Sequence, residues 1–146
     1  MEIDRAGLEA RLPHRVRALM LDGADFMRDE TGKVIGAMGY RIVTEADCEG
    51  HVPGNPISRA VDRVEMIALT LGLAAQLDLS AGYFPFYYEF GKARFPAKAT
   101  VGDLIRTEAI LTRHNRRLIE GSGKAFVDDK LIAEVEGIIY LTGKLP

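Results

Sequence analysis

The chain has 146 residues, of which 47% are hydrophobic and 27% charged, with a formal net charge of −2 at pH 7. That composition excludes a disordered chain and is enough for one domain, residues 1–146, with its own core. The slight acidity runs against nucleic acid as a partner. The only cysteine, Cys48, cannot close an internal disulfide and suits a reducing compartment. Cys48 and His51 form a Cys-x-x-His pair, but no second cysteine exists to complete a ligand set, so no metal is expected. The opening Met1-Glu2-Ile3-Asp4-Arg5 has no signal-peptide pattern, and the uncharged run 66–77 is too short to cross a bilayer. A cytoplasmic protein away from membranes is the expectation.

Residues 3–11 read as a short helix with Asp4 near its start, broken by Leu12-Pro13-His14-Arg15. Residues 16–27 read as a strand, or as a strand bulged at Gly23. A polar turn over 28–32 leads to 33–43, where Val34, Met38, Tyr40 and Ile42 share one face in strand alternation. Residues 44–57 read as a loop. Ser58 is the expected N-cap of a helix over 59–77. From Met66 onward this helix is apolar nearly all round, so it is expected to be buried on most sides. Asp78, Ser80 and Gly82 mark its end.

Sheet is expected after the helix. Aromatic residues crowd 84–98, and strands over 104–113, 118–127 and 131–141 are separated by polar turns. In the last strand Leu131, Ala133, Val135, Gly137, Ile139 and Leu141 alternate with Glu134 and Glu136. Two strands, one helix and three or four further strands joined by short turns predict an α+β fold. Its antiparallel sheet curves around one long central helix.

The chemistry concentrates between Gly50 and Glu65. Pro53 and Pro56 each fix a backbone φ, and Gly54 between them permits a turn. Such a loop can hold the imidazole of His51 in one place. Glu65 lies fourteen residues on, with Val61, Val64, Ala68 and Leu69 as helical neighbours. A carboxyl group among apolar side chains is costly to bury unpaired. One His and one such acid are the parts needed for paired proton transfers. Taken alone, His51 also reads as a structural loop histidine. Glu65 also reads as an exposed residue beside Asp62 and Arg63 in a polar first turn.

Gly50-His51-Val52-Pro53-Gly54-Asn55-Pro56 resembles the Gly-His-Phe-Pro-Gly-x-Pro signature of the 3-hydroxyacyl-acyl-carrier-protein dehydratases, and the Glu65 spacing matches as well. Leu12-Pro13-His14-Arg15, Ala93-Arg94-Phe95 and Val101-Gly102-Asp103-Leu104 are similar to further family motifs, in the same order. The resemblance implies a hotdog fold, antiparallel sheet around one long helix. It also implies a homodimer, or a heterodimer with a related subunit, with active sites at the interface and no cofactor. The implied partner is acyl carrier protein bearing a phosphopantetheine-bound acyl chain, in fatty-acid or polyketide biosynthesis.

By the same resemblance, His51 removes the proton beside the thioester carbonyl and Glu65 protonates the departing hydroxyl. The N–H of Ala60 binds the thioester oxygen. Gly54 belongs to the substrate-binding loop, and Phe86 and Tyr88 are candidates for the wall of an acyl tunnel. Ser58-Arg59-Ala60 stands where the family usually has Met-Pro-Gly, which leaves Arg59 to bind phosphate, meet an acidic substrate or face water. A half-site partner subunit, a thioesterase and an enoyl isomerase are the competing functions. His14 and His114 read as structural and solvated histidines. Arg113, Arg116 and Arg117 read either as a solvated turn or as a dock for an acidic carrier.

Overall fold

The computed structural model describes residues 1–145. Helix α1 (Arg5–Arg11) starts at Asp4, whose carboxylate accepts the Gly7 N–H at 2.9 Å. Seven strands follow: β1 (Gly23–Arg28), β2 (Val34–Ile42), β3 (Tyr83–Glu89), β4 (Ala93–Arg94), β5 (Leu104–His114), β6 (Leu118–Val127) and β7 (Lys130–Lys144). All neighbours pair antiparallel, in the order β1-β2-β5-β6-β7-β3, with the short β4 also on β7. Helix α2 (Glu45–Cys48) and the long α3 (Ala60–Ala74) lie between β2 and β3. This is the hotdog arrangement. None of the helices among the described residues is long and apolar enough to cross a membrane.

Helix α3 packs against β2, β5, β6 and β7, and its Ile67, Leu71 and Leu73 are fully buried with Ile105, Ile119, Val135 and Ile138 of the sheet. The sheet comes this close because glycines face the helix. A Cβ on Gly121 would lie 2.4 Å from Leu71 Cδ1, and one on Gly123 would lie 2.4 Å from Ile67 Cγ2 and 2.7 Å from the Glu108 carbonyl oxygen. Gly123 therefore meets backbone that cannot swing aside. Gly123→Ala is expected to lower unfolding free energy by about 1–3 kcal/mol, the usual cost of overpacking. Denaturant unfolding checks this, and a loss below about 0.5 kcal/mol would place the helix further from β6.

Several elements depart from the sequence reading, each for a local reason. Residues 16–27 do not form a continuous strand. Val16–Ala18 is a 3₁₀ turn with Val16 at φ 51°, and the Arg5 guanidinium donates to the carbonyls of Val16, Leu19 and Leu21 at 3.1–3.2 Å. Those carbonyls are thereby diverted from a strand ladder. On β2 the four residues expected on one face divide: Val34 is buried, Met38 and Tyr40 are half-buried, and Ile42 is exposed. A register shift between β1 and β2 near Val34 separates it from the others, and small Ala37 and Gly39 are buried instead.

The expected helix limits shift too. Ser58 is not the N-cap: it is buried, and both its N–H and its hydroxyl bond the Ala99 carbonyl, at 3.0 and 3.3 Å. Arg59 takes the cap position with no side-chain cap, and α3 stops at Ala74 because Gln76 adopts a left-handed φ of 50°. On β7 the alternation reverses midway. Val135 pairs with Gly123 but Ile138 pairs with Gly121, so β7 holds one extra residue at Glu136 and Gly137. Gly137 supplies the φ of 64° that this bulge uses. Beyond it Ile138 and Tyr140 turn inward, while Leu141 is exposed.

Candidate active site

His51 sits on a loop tied down at both ends. Upstream, Thr44 and Asp47 form a capping box on α2, and Arg41 grips Asp47 at 2.6 Å and Asp22 at 3.0 Å. Cys48 is buried beneath the loop, and its carbonyl accepts the His51 N–H at 3.2 Å. Downstream, Asn55 N–H bonds the Val52 carbonyl, Val101 N–H bonds the Pro56 carbonyl, and Ile57 bridges to Thr100. Gly54 turns the chain at φ 79°. With Val52, Pro53, Asn55 and Cys48 it borders an open cavity of about 650 Å³.

The exposed imidazole of His51 is oriented by one contact, Nδ1 to the Ile57 carbonyl at 2.9 Å. A carbonyl oxygen only accepts, so in the neutral ring Nδ1 carries the proton and Nε2 the lone pair. That is the tautomer a general base requires. Ala60 opens α3, where N–H groups have no intrahelical acceptor and the helix dipole is positive. A developing oxyanion beside that turn is stabilised.

Glu65 lies on α3 with 27% of its side chain exposed, so it is neither sealed nor free. The Tyr87 hydroxyl donates to its Oε2. Oε1 faces His14 Nε2 at 3.8 Å. Burial holds the His14 imidazole below its ordinary pKa, against the pull of Glu65, so the contact is between a carboxyl group and a largely neutral ring near neutral pH. His14 Nδ1 is buried without a partner. Within the protomer no hydrogen bond or ion pair joins His51 to Glu65 among the described residues. Phe86 and Tyr88 lie on the exposed edge strand β3, and it is Tyr87 between them that reaches the acid.

The unexpected charges at the start of α3 account for one another. Arg59 binds Asp62 through Nε and Nη2, at 3.0 and 2.9 Å, and Asp62 is buried. Arg59 is thus an ion-pair partner rather than a free cation beside Ala60. Arg63 is buried as well, so the first turn of α3 is not the polar, exposed turn that Asp62 and Arg63 imply in sequence.

Over 139 residues the chain is 34% identical to the 3-hydroxyacyl-[acyl-carrier-protein] dehydratase FabZ of a Caulobacter species, covering 92% of this chain and 83% of the relative. The chain belongs to the FabZ dehydratase family. It is also 36% identical over 131 residues to the FabZ of Syntrophotalea carbinolica, covering 86% of this chain and 85% of that one. For the FabZ of Bordetella pertussis the identity is 32% over 143 residues, with 93% of both chains covered. No family model matches the chain. Among solved structures, the dehydratase heterocomplex ApeI:P from Xenorhabdus doucetiae superposes with a TM-score of 0.73 at 11% identity, over 95% of this chain and 91% of that one. A mutant thioesterase from Pseudomonas aeruginosa gives 0.70 at 13% identity, over 99% of this chain and 97% of that one. At these identities both likenesses concern the hotdog fold alone.

Within this FabZ-family chain, Tyr87 and His14 are the site neighbours that sequence reasoning did not assign. Tyr87 lies in the aromatic run over 84–98, between Phe86 and Tyr88, the two residues offered as tunnel wall.

Proposed function

We propose that this chain removes water from a 3-hydroxyacyl thioester on acyl carrier protein, giving a trans-2-enoyl thioester in fatty-acid synthesis. His51 Nε2 takes the proton from the carbon next to the thioester carbonyl. As that electron pair forms the new double bond, the bond to the 3-hydroxyl breaks and Glu65 supplies the proton that makes the leaving group water. The Ala60 N–H carries the transient charge on the thioester oxygen. The observation that carries this reading is the pair itself: a histidine held in the basic tautomer and a half-buried carboxylic acid. The family relationship supports it.

The two groups are not joined within one protomer, and the edge strand β3 exposes Tyr83, Phe86, Tyr87 and Tyr88, with Phe90 just beyond. An unpaired aromatic edge is the kind of surface a second copy covers. We therefore assign a homodimer in which His51 of one subunit meets Glu65 of the other. Incubating the protein with 3-hydroxyacyl and enoyl carrier thioesters, followed by mass spectrometry, tests the reaction. Loss or gain of one water is expected. Release of free acid would instead mark a thioesterase.

The basic hairpin between β5 and β6 is the candidate carrier dock. Its turn is fixed through the Thr142 N–H, which donates to the Arg117 carbonyl at 3.0 Å, and Arg116 and Arg117 border a cavity of about 1050 Å³ next to Leu77, Tyr83 and Leu141. Changing Arg113, Arg116 and Arg117 to Ala is expected to raise KM for the carrier-bound substrate, with the effect fading in high salt. Turnover of a small pantetheine thioester should not change. Equal effects on both substrates would remove the docking role.

A further inference from the structure

The aromatic residue that touches the acid belongs to a column that the sheet is bent to build. Past the bulge at Gly137, Tyr140 turns inward and is buried to 5% exposure. Tyr87 pairs with it across β3 and β7 and stacks on it, with centroids 4.8 Å apart and planes inclined by 25°. Phe90 also packs on Tyr87, with centroids 5.0 Å apart and planes tilted by 46°. The bulge is itself held by β3's continuation, because the Gly91 N–H bonds the carbonyls of Glu136 and Gly137 at 3.0 and 3.1 Å. Had β7 kept its alternation, Tyr140 would face outward and Tyr87 would have no ring to rest on. Tyr87 is 44% exposed overall, yet its hydroxyl end turns inward to Glu65. Burial, with Tyr140 and the Glu65 charge adding to it, pushes the phenol well above its ordinary pKa. The group stays a neutral donor across the working range.

We infer that Tyr87 is a positioning residue for the acid. Its hydroxyl occupies Glu65 Oε2, while Oε1 faces the His14 ring at 3.8 Å, beyond hydrogen-bond reach, and so stays the oxygen that carries the proton to the departing hydroxyl. A carboxyl group on a flexible two-methylene stem has rotamers to lose. A donor fixed by stacking selects one of them before substrate arrives, and small misplacements of a proton donor are expensive in rate. The inference rests on the proposed role of Glu65 as the acid.

Tyr87→Phe is the test, since it keeps the ring, the stack and the strand and removes only the donor. With a 3-hydroxyacyl pantetheine thioester as substrate, kcat is expected to fall by about tenfold, the scale of one lost hydrogen bond. KM should change by less than about twofold, and the melting midpoint should hold, because uniform binding is untouched. Adding Tyr87→Phe to Glu65→Gln is expected to cost nothing further, because the hydroxyl acts through the acid. Unchanged kcat in Tyr87→Phe, with Glu65→Gln inactive, would overturn the inference and leave the proposed function standing. So would an equal fall in both backgrounds. A fully active Glu65→Gln would remove the reading beneath it.

Discussion

Glu65→Gln is expected to lower kcat by at least about 10²-fold, within the 10²–10⁴ that a positioned proton-transfer group contributes. The substitution keeps the shape of the side chain and removes the acid. His51→Ala should fall by as much, since it removes the base of the proposed reaction. Both proteins should fold, because His51 is exposed and Glu65 half-buried. Asp62→Asn is the internal control. Asp62 is committed to Arg59 in a two-nitrogen ion pair, so its loss should act on stability and leave proton transfer in place. If the groups of one site come from two subunits, mixing the two inactive proteins should restore activity. Random reassociation makes half the dimers mixed, each with one intact His51–Glu65 pair, so up to about a quarter of wild-type sites should work. No recovery after demonstrated subunit exchange would put both groups in one chain. Activity in Glu65→Gln with a dead Asp62→Asn would move the acid to Asp62.

The sequence carried the order of elements because hydrophobic period is local. The run from Met66 to Leu73 is apolar nearly all round, and a buried helix accommodates that. The proline and glycine spacing around His51 specified a constrained loop, and backbone hydrogen bonds tie that loop at both ends. Helix α2 breaks the loop expected over 44–57, although Thr44 and Asp47 have capping-box spacing. The misses come from long-range partners. Arg5 removes the carbonyls of Val16, Leu19 and Leu21 from any ladder, and nothing local announces that. On β7, one inserted residue at Gly137 inverts the second half of a strand whose alternation reads cleanly. That inversion places Tyr140 under Tyr87, so the support of the acid was hidden by the same feature that creates it. The subunit that would bring His51 to Glu65 lies outside any one chain's periodicity.

Arg63→Ala is expected to cost about 3–5 kcal/mol of stability. Read locally, Arg63 belongs to an exposed first turn, yet only 2% of it meets solvent. Its Nη1 donates to the carbonyls of Ala97 and Ile132, at 2.7 and 3.1 Å, while Nε is buried without a partner. Burial presses its pKa downward, with Asp62 opposing. Two effects compete. Removing a poorly satisfied buried cation relieves desolvation, but truncation to Ala leaves a cavity and two carbonyls with lost donors, at about 1–3 kcal/mol each. The truncation terms act together in Ala and outweigh the relief. Arg63→Met separates them, because it refills the stem without restoring the donors, and a smaller loss of about 1–3 kcal/mol is expected. Denaturant unfolding of both variants reads the difference. A Met variant more stable than the parent would mean that the desolvation of the guanidinium exceeds its two hydrogen bonds. The consequence reaches the site as well. Arg63 fixes the segment at Ala97, and the Ala99 carbonyl of that segment holds Ser58, two residues before the Ala60 N–H. Loosening Arg63 should therefore let the start of α3 drift. Activity in Arg63→Met should fall even at temperatures where the protein remains folded.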